Sequence, residues 1–402
     1  MNSTLLVFDS HPVQYRVPVW QTVETICPGC IHVIYASDCS VRGFEDEQFG
    51  KKITWDEPLL SGYSSSILNC EKGKPLSGWR SLTGAGVSRE IRSHRPTAIL
   101  LTGINYQFDL AVYYEALKRG IPVWLRCESQ DEAFNRGKIK SGLRGIFYRM
   151  IYTGIAKFFY IGKFNRSHYL AHGVSEQKLL PAHYCTVDRF GQMNSYSKKE
   201  LCSQARNNAG VKEDGLVIGF SGKFISKKTP ALLFEMLPYL SSDFLKKLTL
   251  YFIGSGELEN DLKQRAKKAK DKYNVNVFFT GFVNQTKLPE HYLAMDILIL
   301  PSQRMGETWG LVANEAMQAG CGVVVSDAVG CSADFKDWER FRVFKENDAA
   351  DLATNVLSLA EMKRDFDWAK KKLKDYSIES AAQSLANELF CNYKRPQSSL
   401  QI

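Results

Sequence analysis

Four side chains in the second half of the chain have the types and spacing needed to bind a phosphorylated, hydroxyl-rich ligand. Lys223 and Lys228 follow an apolar run that ends in a glycine turn at Gly222. Two ammonium groups at the end of a strand can stabilise a diphosphate and the charge that develops as it departs. Glu307 and Glu315 stand eight residues apart, and carboxylates accept hydrogen bonds from sugar hydroxyls.

The two glutamates have a definite expected placement relative to a helix. A helix that begins at Trp309 or Gly310 and ends at Gly320 would put Glu307 in the preceding loop and Glu315 in its second turn. With ~1.5 Å of rise per residue, the two carboxylates would lie roughly 10 Å apart along the axis. The helix N-terminus between them favours an anion. The alternative is that both glutamates belong to a solvated helix surface.

Two series of short apolar runs predict the elements that would position these side chains. The runs alternate with longer amphipathic stretches, which is typical of parallel sheets covered by helices. Ligands bind outside the carboxyl ends of such strands, so the residues directly after each run are the candidates. The first series is LLVF at 5–8, IHVIY at 31–35, AILL at 98–101, PVWLR at 122–126 and FFYIG at 158–162, and the second is LVIGFSG at 216–222, LTLYFIG at 248–254, VNVFFTG at 275–281, DILILPS at 296–302 and GVVVSD at 322–327.

The sequence predicts an α/β protein with two domains and a connecting segment. At roughly 150 residues per domain, the 402 residues of the chain allow two or three domains. We expect a first domain over residues 1–190, a polar and helix-breaking linker over 191–212, a second domain over 213–375 and a terminal helix over 376–395. The last few residues are expected to fray.

Composition excludes several classes of protein. The chain is 44% hydrophobic and 24% charged, as ordinary globular proteins are. No apolar run approaches the ~20 residues of a membrane-spanning helix, and we interpret the opening run as a core strand rather than a signal peptide. The ten cysteines are scattered, so reduced thiols and a cytoplasmic location are expected. Cys27 and Cys30 form one CxxC without a second pair at zinc spacing, and no metal site is expected.

One stretch of the first half is strongly basic in a chain whose net charge is +9. Residues 133–175 hold eight Lys or Arg and no acid. Such a stretch suits anionic lipid or a polyanionic acceptor, and the alternative is a solvated helix face followed by a core strand. No nucleic-acid-reading module accompanies it, so we expect no nucleic-acid partner. The residues of the candidate membrane or acceptor patch are Lys138, Lys140, Arg144 and Arg149.

Four segments of the second half occur in order and with compatible spacing: GKFISKKTP, FIGSGELE, FTGFVNQTKLPEHYLAMDILILPS and GETWGLVANEAMQAGCGVVVSDAVG. Together they closely resemble the C-terminal domain of retaining GT-B glycosyltransferases, the group 1 or family four type. GSGELE does not complete the GxGxxG of a nicotinamide dehydrogenase. The resemblance implies two Rossmann-like parallel-sheet domains that face a central cleft, with C-terminal helices packing back toward the N-terminal domain.

The resemblance also implies a role for each candidate residue of the second half. Glu307 would hold the donor hexose, and Glu315 would bind the ribose hydroxyls. Lys223 and Lys228 would bind the diphosphate, although Lys223 stands where arginine is common. The other implied donor-binding residues, which would offer backbone N–H groups, a close backbone approach or a frame for the base, are Gly222, Gly254, Gly256, Phe282, Val283, Gly310 and Leu311.

Departures from the family pattern lie in the first half, which in this family faces the acceptor. A glycine-rich loop often follows the first strand, but here His11 lies beside Pro12. Many members place a histidine beside the donor sugar, in the segment where this chain has Glu128 after PVWLR. Glu128 is therefore our candidate for that place. His11 competes with it, and the alternative for His11 is a structural role.

The function implied by the resemblance is a metal-independent retaining transfer of a hexosyl unit from a UDP- or GDP-sugar to a glycan. The nucleotide-sugar is a substrate, and no cofactor is expected. We expect a lipid-linked acceptor, peripheral contact with the inner face of the membrane and a role in surface polysaccharide biosynthesis. The alternatives that stay open are a GT-B epimerase, a small-molecule glycosyltransferase, and a catalytically silent protein that binds a glycan or polyanion.

Overall fold

The computed structural model describes residues 4–46, 51–53, 56–71, 76 and 78–393. Its strands are β1 Leu5–Asp9, β2 Ile31–Tyr35, β3 Phe44–Asp46, β4 Lys51–Ile53, β5 Ser64–Ile67, β6 Ala98–Leu101, β7 Val123–Leu125, β8 Ile155–Tyr160, β9 Leu179–Pro181, β10 Leu216–Ser221, β11 Leu248–Ile253, β12 Asn276–Gly281, β13 Ile297–Leu300, β14 Gly322–Ser326 and β15 Phe341–Phe344. Its α-helices are α1 Val17–Ile26, α2 Val87–His94, α3 Gln107–Lys118, α4 Lys138–Thr153, α5 Lys163–Ala171, α6 Ser195–Asn208, α7 Leu232–Glu235, α8 Ser242–Lys247, α9 Glu259–Tyr273, α10 Leu288–Ala294, α11 Leu311–Gln318, α12 Ser332–Phe335, α13 Ala349–Ala360 and α14 Ile378–Tyr393. Short 3-10 turns lie at Glu176–Lys178, Ser226–Lys228, Leu237–Tyr239 and Lys372–Tyr376.

The first domain is built on a seven-stranded parallel sheet with the order β5-β2-β1-β6-β7-β8-β9. Successive side chains of β1 point to opposite faces of this sheet. Leu6 and Phe8 join one buried cluster, and Leu5 and Val7 join another. Both faces are therefore covered, which is why the strand is apolar without alternation.

The second domain is built on a six-stranded parallel sheet with the order β12-β11-β10-β13-β14-β15. Its two faces are also buried, because Val217 joins one cluster and Ile218 and Phe220 join another. Each of the ten predicted apolar runs overlaps a strand. The expectation of two parallel sheets covered by helices is confirmed.

The segment expected to be a helix-breaking linker, residues 191–212, contains α6 instead. The Asn194 side chain caps this helix by accepting a hydrogen bond of 2.9 Å from a backbone N–H of the first turn. Leu201 and Ala205 lie on one face of α6 and pack against the core of the second domain. The apolar face of α6 is narrow, so most residues of the segment are polar. Its composition therefore did not predict the helix, which packing against the second domain stabilises.

Helix α14 returns to the first domain, as the fold prediction required. Ile378, Leu385 and Leu389 of α14 are buried in one cluster with Val17 and Trp20 of α1. Lys157 of β8 also pairs with a glutamate of α14 at 3.3 Å. The boundaries of the two domains stay predictions, and the predicted helix end at 394–395 and the expected frayed end lie outside the described residues.

The expectation of reduced thiols is wrong for one cysteine pair. The turn after α1 brings the Cα atoms of Cys27 and Cys30 to 5.6 Å, and the two residues form a disulfide. The proline and glycine between them shape this turn, which is compatible with a short bridge. The other eight cysteines are free thiols.

Candidate functional site

A pocket between the two domains brings together six of the predicted donor-binding residues. Gln14 and Tyr15 from the loop after β1 face the second domain across it, and Arg189 of the connecting segment also lines it. The pocket thus lies at the carboxyl ends of the second sheet, where parallel sheets bind ligands. The predicted residues in its lining are Gly222, Gly254, Phe282, Val283, Leu311 and Glu315.

The edge of this pocket depends on a close approach between two glycines. Gly254 follows β11 with a φ of +134°, and a Cβ at this position would lie 1.9 Å from the carbonyl oxygen of Gly222. The Gly222 N–H also donates to the Ile253 carbonyl at 3.0 Å. Only glycine allows the loops after β10 and β11 to meet so closely.

Gly256 and Lys223 lie next to this junction without lining the pocket. A Cβ at Gly256 would lie 2.6 Å from the Phe224 carbonyl oxygen, so Gly256 packs against the backbone that carries Lys223. The charge of Lys223 acts on Lys227, which lies in the same loop.

The loop before α11 turns at Gly310, which has a φ of +97°. A Cβ there would lie within 2.8 Å of both Leu300 and Val329, so the turn needs glycine for its conformation and its packing. The helix begins at Leu311, with Gly310 as its N-cap. Glu315 is consequently in the second turn, as expected.

Glu315 is buried with a phenol as its hydrogen-bond donor. The Tyr292 hydroxyl donates to Glu315 Oε2 at 2.6 Å and lies 3.0 Å from the Ser221 hydroxyl. Burial raises the pKa of Glu315 to about 7, although the Tyr292 hydrogen bond and the charge of Arg189 act in the opposite direction. The carboxylate therefore gains and loses its proton near neutral pH.

Glu307 forms an ion pair with Lys228 next to the pocket. Its Oε2 also accepts a hydrogen bond from the Ser302 hydroxyl at 3.2 Å. Burial alone would raise the pKa of Glu307, but the Lys228 charge, the hydrogen bonds and the charge of Lys227 together lower it. The structure thus brings the two predicted residues into direct contact and keeps Glu307 ionised.

The sequence reasoning missed three residues of this region. Burial, together with the charges of Lys228 and Lys223, lowers the pKa of Lys227, whose only sequence signal was the KK doublet. Tyr292 lies in the apolar pattern of α10, and Arg189 lies in the connecting segment. No local pattern distinguishes these two residues from structural ones.

Glu128 bridges the two domains through three hydroxyl groups. It accepts hydrogen bonds from Tyr15 at 3.1 Å, from Tyr184, and from Thr308 at 2.9 Å. Thr308 follows Glu307 directly, so Glu128 lies beside the loop that carries Glu307. Its oxygens are already engaged, which suits a residue that positions the two sides of the cleft.

His11 does not line the pocket, although the loop that carries it does. Its Nδ1 lies 3.0 Å from the Ser10 hydroxyl. Burial and the nearby Arg16 charge lower the pKa of His11 to about 4, so its imidazole is neutral at physiological pH. Its predicted contact with substrate stays a prediction.

Three of the four residues of the predicted basic patch are exposed, and the fourth contacts its own domain. Lys138, Lys140 and Arg149 are exposed on α4. Arg144 instead donates to Asp131 Oδ1 at 2.8 Å and to the Tyr148 hydroxyl at 2.8 Å. These contacts turn the Arg144 side chain partly toward the domain, and its place in the predicted patch stays a prediction.

One group of side chains has a composition that suits a metal ion, and it lies away from the pocket lining. Asp131, His168 and His172 bring their ligand atoms within 4.8 Å of one another. His168 Nδ1 already contacts Asp131 Oδ2 at 2.8 Å, and Arg144 occupies the other carboxylate oxygen. These contacts balance the charge of the Asp131 carboxylate. The expectation that the protein has no metal site stays a prediction.

Comparison with protein families matches residues 203–380 to the model of the glycosyl transferases group 1. An uncharacterized glycosyltransferase of Methanocaldococcus jannaschii is 33% identical over 125 residues, which are 31% of this chain and 30% of that protein. A D-inositol 3-phosphate glycosyltransferase of Catenulispora acidiphila is 29% identical over 189 residues, which are 44% of this chain and 42% of that protein. The chain therefore spans less than half the length of these curated relatives.

The likeness to solved structures covers nearly the whole chain. HepE of Anabaena, solved in complex with UDP and glucose, superposes with a TM-score of 0.62 at 14% identity and 97% coverage of each chain. An identity this low establishes the fold alone. The predicted GT-B fold is thereby confirmed.

Proposed function

We propose, from the premise that this chain has the GT-B fold and that its residues 203–380 match the model of the glycosyl transferases group 1, that it is a metal-independent retaining glycosyltransferase. It transfers a hexosyl unit from a nucleotide-sugar to a glycan acceptor. A UDP-sugar is favoured over a GDP-sugar, because the similar Anabaena protein was solved with UDP and glucose. The acceptor is a lipid-linked saccharide of surface polysaccharide biosynthesis.

The observation that carries this proposal is the interdomain pocket. Glu315 lies in its lining, where a carboxylate can accept hydrogen bonds from ribose hydroxyls. Phe282 and Val283 line the same pocket and supply an apolar surface for the base. The backbone around Gly222 and Gly254 leaves no side chain between them, which favours close approach by a diphosphate.

The chemistry of the transfer requires stabilisation of the departing diphosphate. Lys228 supplies a fixed ammonium group, and Lys227 and Lys223 add positive charge near it. Glu307 remains ionised beside Lys228 and holds the hexose hydroxyls. In the front-side reaction that we propose, the glycosidic bond breaks as the acceptor oxygen bonds to the sugar carbon. The departing phosphate takes the acceptor proton, so no carboxylate nucleophile is required.

The first domain supplies the acceptor side of the cleft. Glu128 orients Tyr15 and Thr308 across the domain boundary and acts as a positioning residue. A neutral His11 can accept or donate one hydrogen bond in the loop after β1. Neither residue needs to exchange a proton with the substrate in this reaction.

The proposed donor class is tested first by calorimetry. UDP, GDP, ADP and their hexose conjugates are titrated into the wild type, Glu315→Ala and an exposed control, Glu213→Ala. We expect UDP and one UDP-hexose to bind with micromolar Kd, and Glu315→Ala to weaken binding by about tenfold through a loss of ~1.4 kcal/mol. Glu213→Ala should bind as the wild type does.

The reaction itself is tested with the UDP-hexose that binds and with lipid-linked saccharide acceptors. Transfer that persists in a chelator, with the anomeric configuration of the sugar kept in the product, supports the proposal. A UDP-hexose that is interconverted without any acceptor would identify an epimerase instead. The absence of nucleotide binding would favour a catalytically silent protein.

A further inference from the structure

Helix α4 carries a stripe of large apolar side chains that face away from the protein. Ile139, Leu143, Ile146 and Met150 are 82%, 66%, 67% and 60% exposed. At 3.6 residues per turn, their spacing places all four within about 60° of one another around the helix. An exposed apolar surface of this kind marks an interaction site in a globular protein.

The opposite face of the same helix is a normal core face. Tyr148, Ile151 and Tyr152 are buried in the first domain. The fold of this domain therefore does not need the outer stripe. The outer side chains have no packing role among the described residues that would explain their apolar character.

Basic side chains flank the stripe on both sides. Lys138 and Arg149 lie along one edge and Lys140 lies along the other, each about 80–110° from the centre of the stripe. All three are exposed. No Asp or Glu occurs between residues 133 and 175, so the helix adds no negative charge to this surface. The surface combines apolar and basic groups in the arrangement of an interfacial helix.

Charge decides which occupant fits this surface. A second copy of the chain would bring its own basic edge residues against these, and like charges would repel. An anionic phospholipid surface complements them and accepts the apolar stripe among its acyl chains. None of the described helices is long and apolar enough to cross a bilayer, so contact through α4 would be peripheral.

The stripe lies close to the donor site. Phe134, four residues before α4, forms a β-bridge with Met305, and the Gly306 N–H donates to the Ala133 carbonyl at 2.8 Å. Gly306 precedes Glu307 directly. The beginning of α4 is thus at the rim of the cleft.

We propose that α4 docks this protein on anionic membranes, with Ile139, Leu143, Ile146 and Met150 inserted at the interface and Lys138, Lys140 and Arg149 on lipid phosphates. Arg144 takes no part, because it is bound to Asp131. Docking holds the cleft rim at the surface from which a lipid-linked acceptor would arrive. Only this last consequence rests on the proposed function.

Flotation of the full chain with vesicles tests the docking. One vesicle contains phosphatidylcholine alone, and the other adds a minor fraction of phosphatidylglycerol. We expect binding to the second vesicle, weakened by salt and weakened at least about tenfold by Ile146→Asp combined with Met150→Asp. Lys138→Glu combined with Lys140→Glu should also weaken binding and reduce its salt dependence.

Tyr196→Asp is the matched control, because Tyr196 is a 76% exposed side chain on another helix. It should bind vesicles as the wild type does. UDP titration of every variant checks the fold and the donor site separately from docking. The proposal is overturned if the wild type ignores anionic vesicles or if the Ile146→Asp, Met150→Asp variant binds them equally. A dimer in light scattering that this variant dissolves would instead assign the stripe to self-association.

Discussion

Glu307 and Glu315 have the same side chain but opposite pKa shifts, because their partners differ. Glu307 faces the Lys228 ammonium, which outweighs the effect of burial and keeps the carboxylate ionised. Glu315 is buried with the Tyr292 hydroxyl, and burial raises its pKa to about 7. The two carboxylates of the candidate site thus respond differently to pH.

Glu315 should make the stability of the empty protein depend on pH. Its folded pKa of about 7 lies above the ordinary glutamate pKa of 4.5, so the stabilising contribution of the protonated form is complete below pH 4.5 and is lost as the pH rises through 7. Glu315→Gln removes this loss. The measured quantity is the Tm of Glu315→Gln minus the Tm of the wild type. We expect this difference to be about 2 °C larger at pH 8 than at pH 4.5.

Thermal unfolding across pH 4.5–8 measures this difference, with the exposed Glu213→Gln as the control. A constant difference between Glu315→Gln and the wild type would contradict the raised pKa.

Binding of a UDP-sugar should change with pH in the opposite sense. Ribose hydroxyls need an ionised acceptor, so affinity should rise toward pH 8 in the wild type and stay flat in Glu315→Gln.

Lys228 should be more important for stability than surface lysines are. Lys228→Met leaves the Glu307 carboxylate largely buried without its cation, which costs about 3 kcal/mol in comparable buried pairs. Glu307→Gln in the same chain should restore most of the loss. Urea denaturation of the two single variants and the double variant measures this coupling.

Lys246→Met is the comparison for this experiment, because Lys246 pairs with Asp243 on the surface, with side chains 66% and 88% exposed. We expect no measurable loss in this variant. Equal losses for Lys228→Met and Lys246→Met, or no recovery in the double variant, would mean that the buried pair has no special role.

At the scale of elements, the site is formed by loops whose conformation the strands and helices determine. The ends of β10 and β11 meet at Gly222 and Gly254, and α11 starts after a left-handed turn at Gly310. The turns position Glu315 and the first N–H groups of α11 at one edge of the sheet. The precision of the proposed donor site therefore depends on the glycines at these turns.

Gly254→Ala should disrupt this arrangement. The new Cβ would lie 1.9 Å from the Gly222 carbonyl oxygen, and the loop must shift to relieve the overlap. We expect a loss of roughly 2–4 kcal/mol in unfolding free energy, together with weakened nucleotide binding. Chemical denaturation and calorimetry measure the two effects.

Gly120→Ala separates the effect of backbone strain from that of overlap. Gly120 has a φ of +65°, and a Cβ there would have nothing within 4 Å. We expect a loss of about 1 kcal/mol and unchanged nucleotide affinity. A Gly254→Ala variant that behaves in the same way would show that the close approach is not needed.

At the scale of the whole molecule, side chains from each domain complete structures in the other. Glu128 of the first domain accepts from Thr308 of the second. The Asp334 carboxylate of the second domain accepts from the Lys163 N–H at 3.0 Å and so caps the start of α5 in the first. The buried face of α14 belongs to the core of the first domain. The two sides of the cleft therefore depend on each other.

Leu385→Asp tests the dependence of the first domain on the end of the chain. Leu385 is 0% exposed in the cluster formed with α1. A charge there should destabilise the first domain by more than about 4 kcal/mol. In calorimetry, we expect an early transition that UDP does not shift and a later transition of the nucleotide-binding domain that UDP raises.

Asn387→Asp is the control, because Asn387 is exposed on the same helix. It should unfold as the wild type does. A single transition shifted equally by UDP in Leu385→Asp would mean that the two domains unfold as one unit.

The sequence by itself predicted the two parallel sheets and most of the residues that line the interdomain pocket in the second domain. Buried parallel strands are apolar on both faces, so runs such as those of β1 and β10 were visible without any tertiary information. Gly222 and Gly254 follow strands, and Glu315 lies in the second turn of a helix, so each could be identified by its position relative to a predicted element. The contact between Lys228 and Glu307 was not predicted, although both residues follow strands that end at the same edge of one sheet.

Only the tertiary structure decided the contacts between segments that are distant in sequence. The Tyr292 hydroxyl reaches Glu315, and Arg189 lines the pocket, through the packing of separate elements. Helix α6 was missed because its narrow apolar face is stabilised by the second domain rather than by its own composition. Arg144 turned inward, and the apolar stripe of α4 stayed outside, because the rotation of a helix about its axis is set by what it packs against. Local patterns carry no direct information about that neighbour.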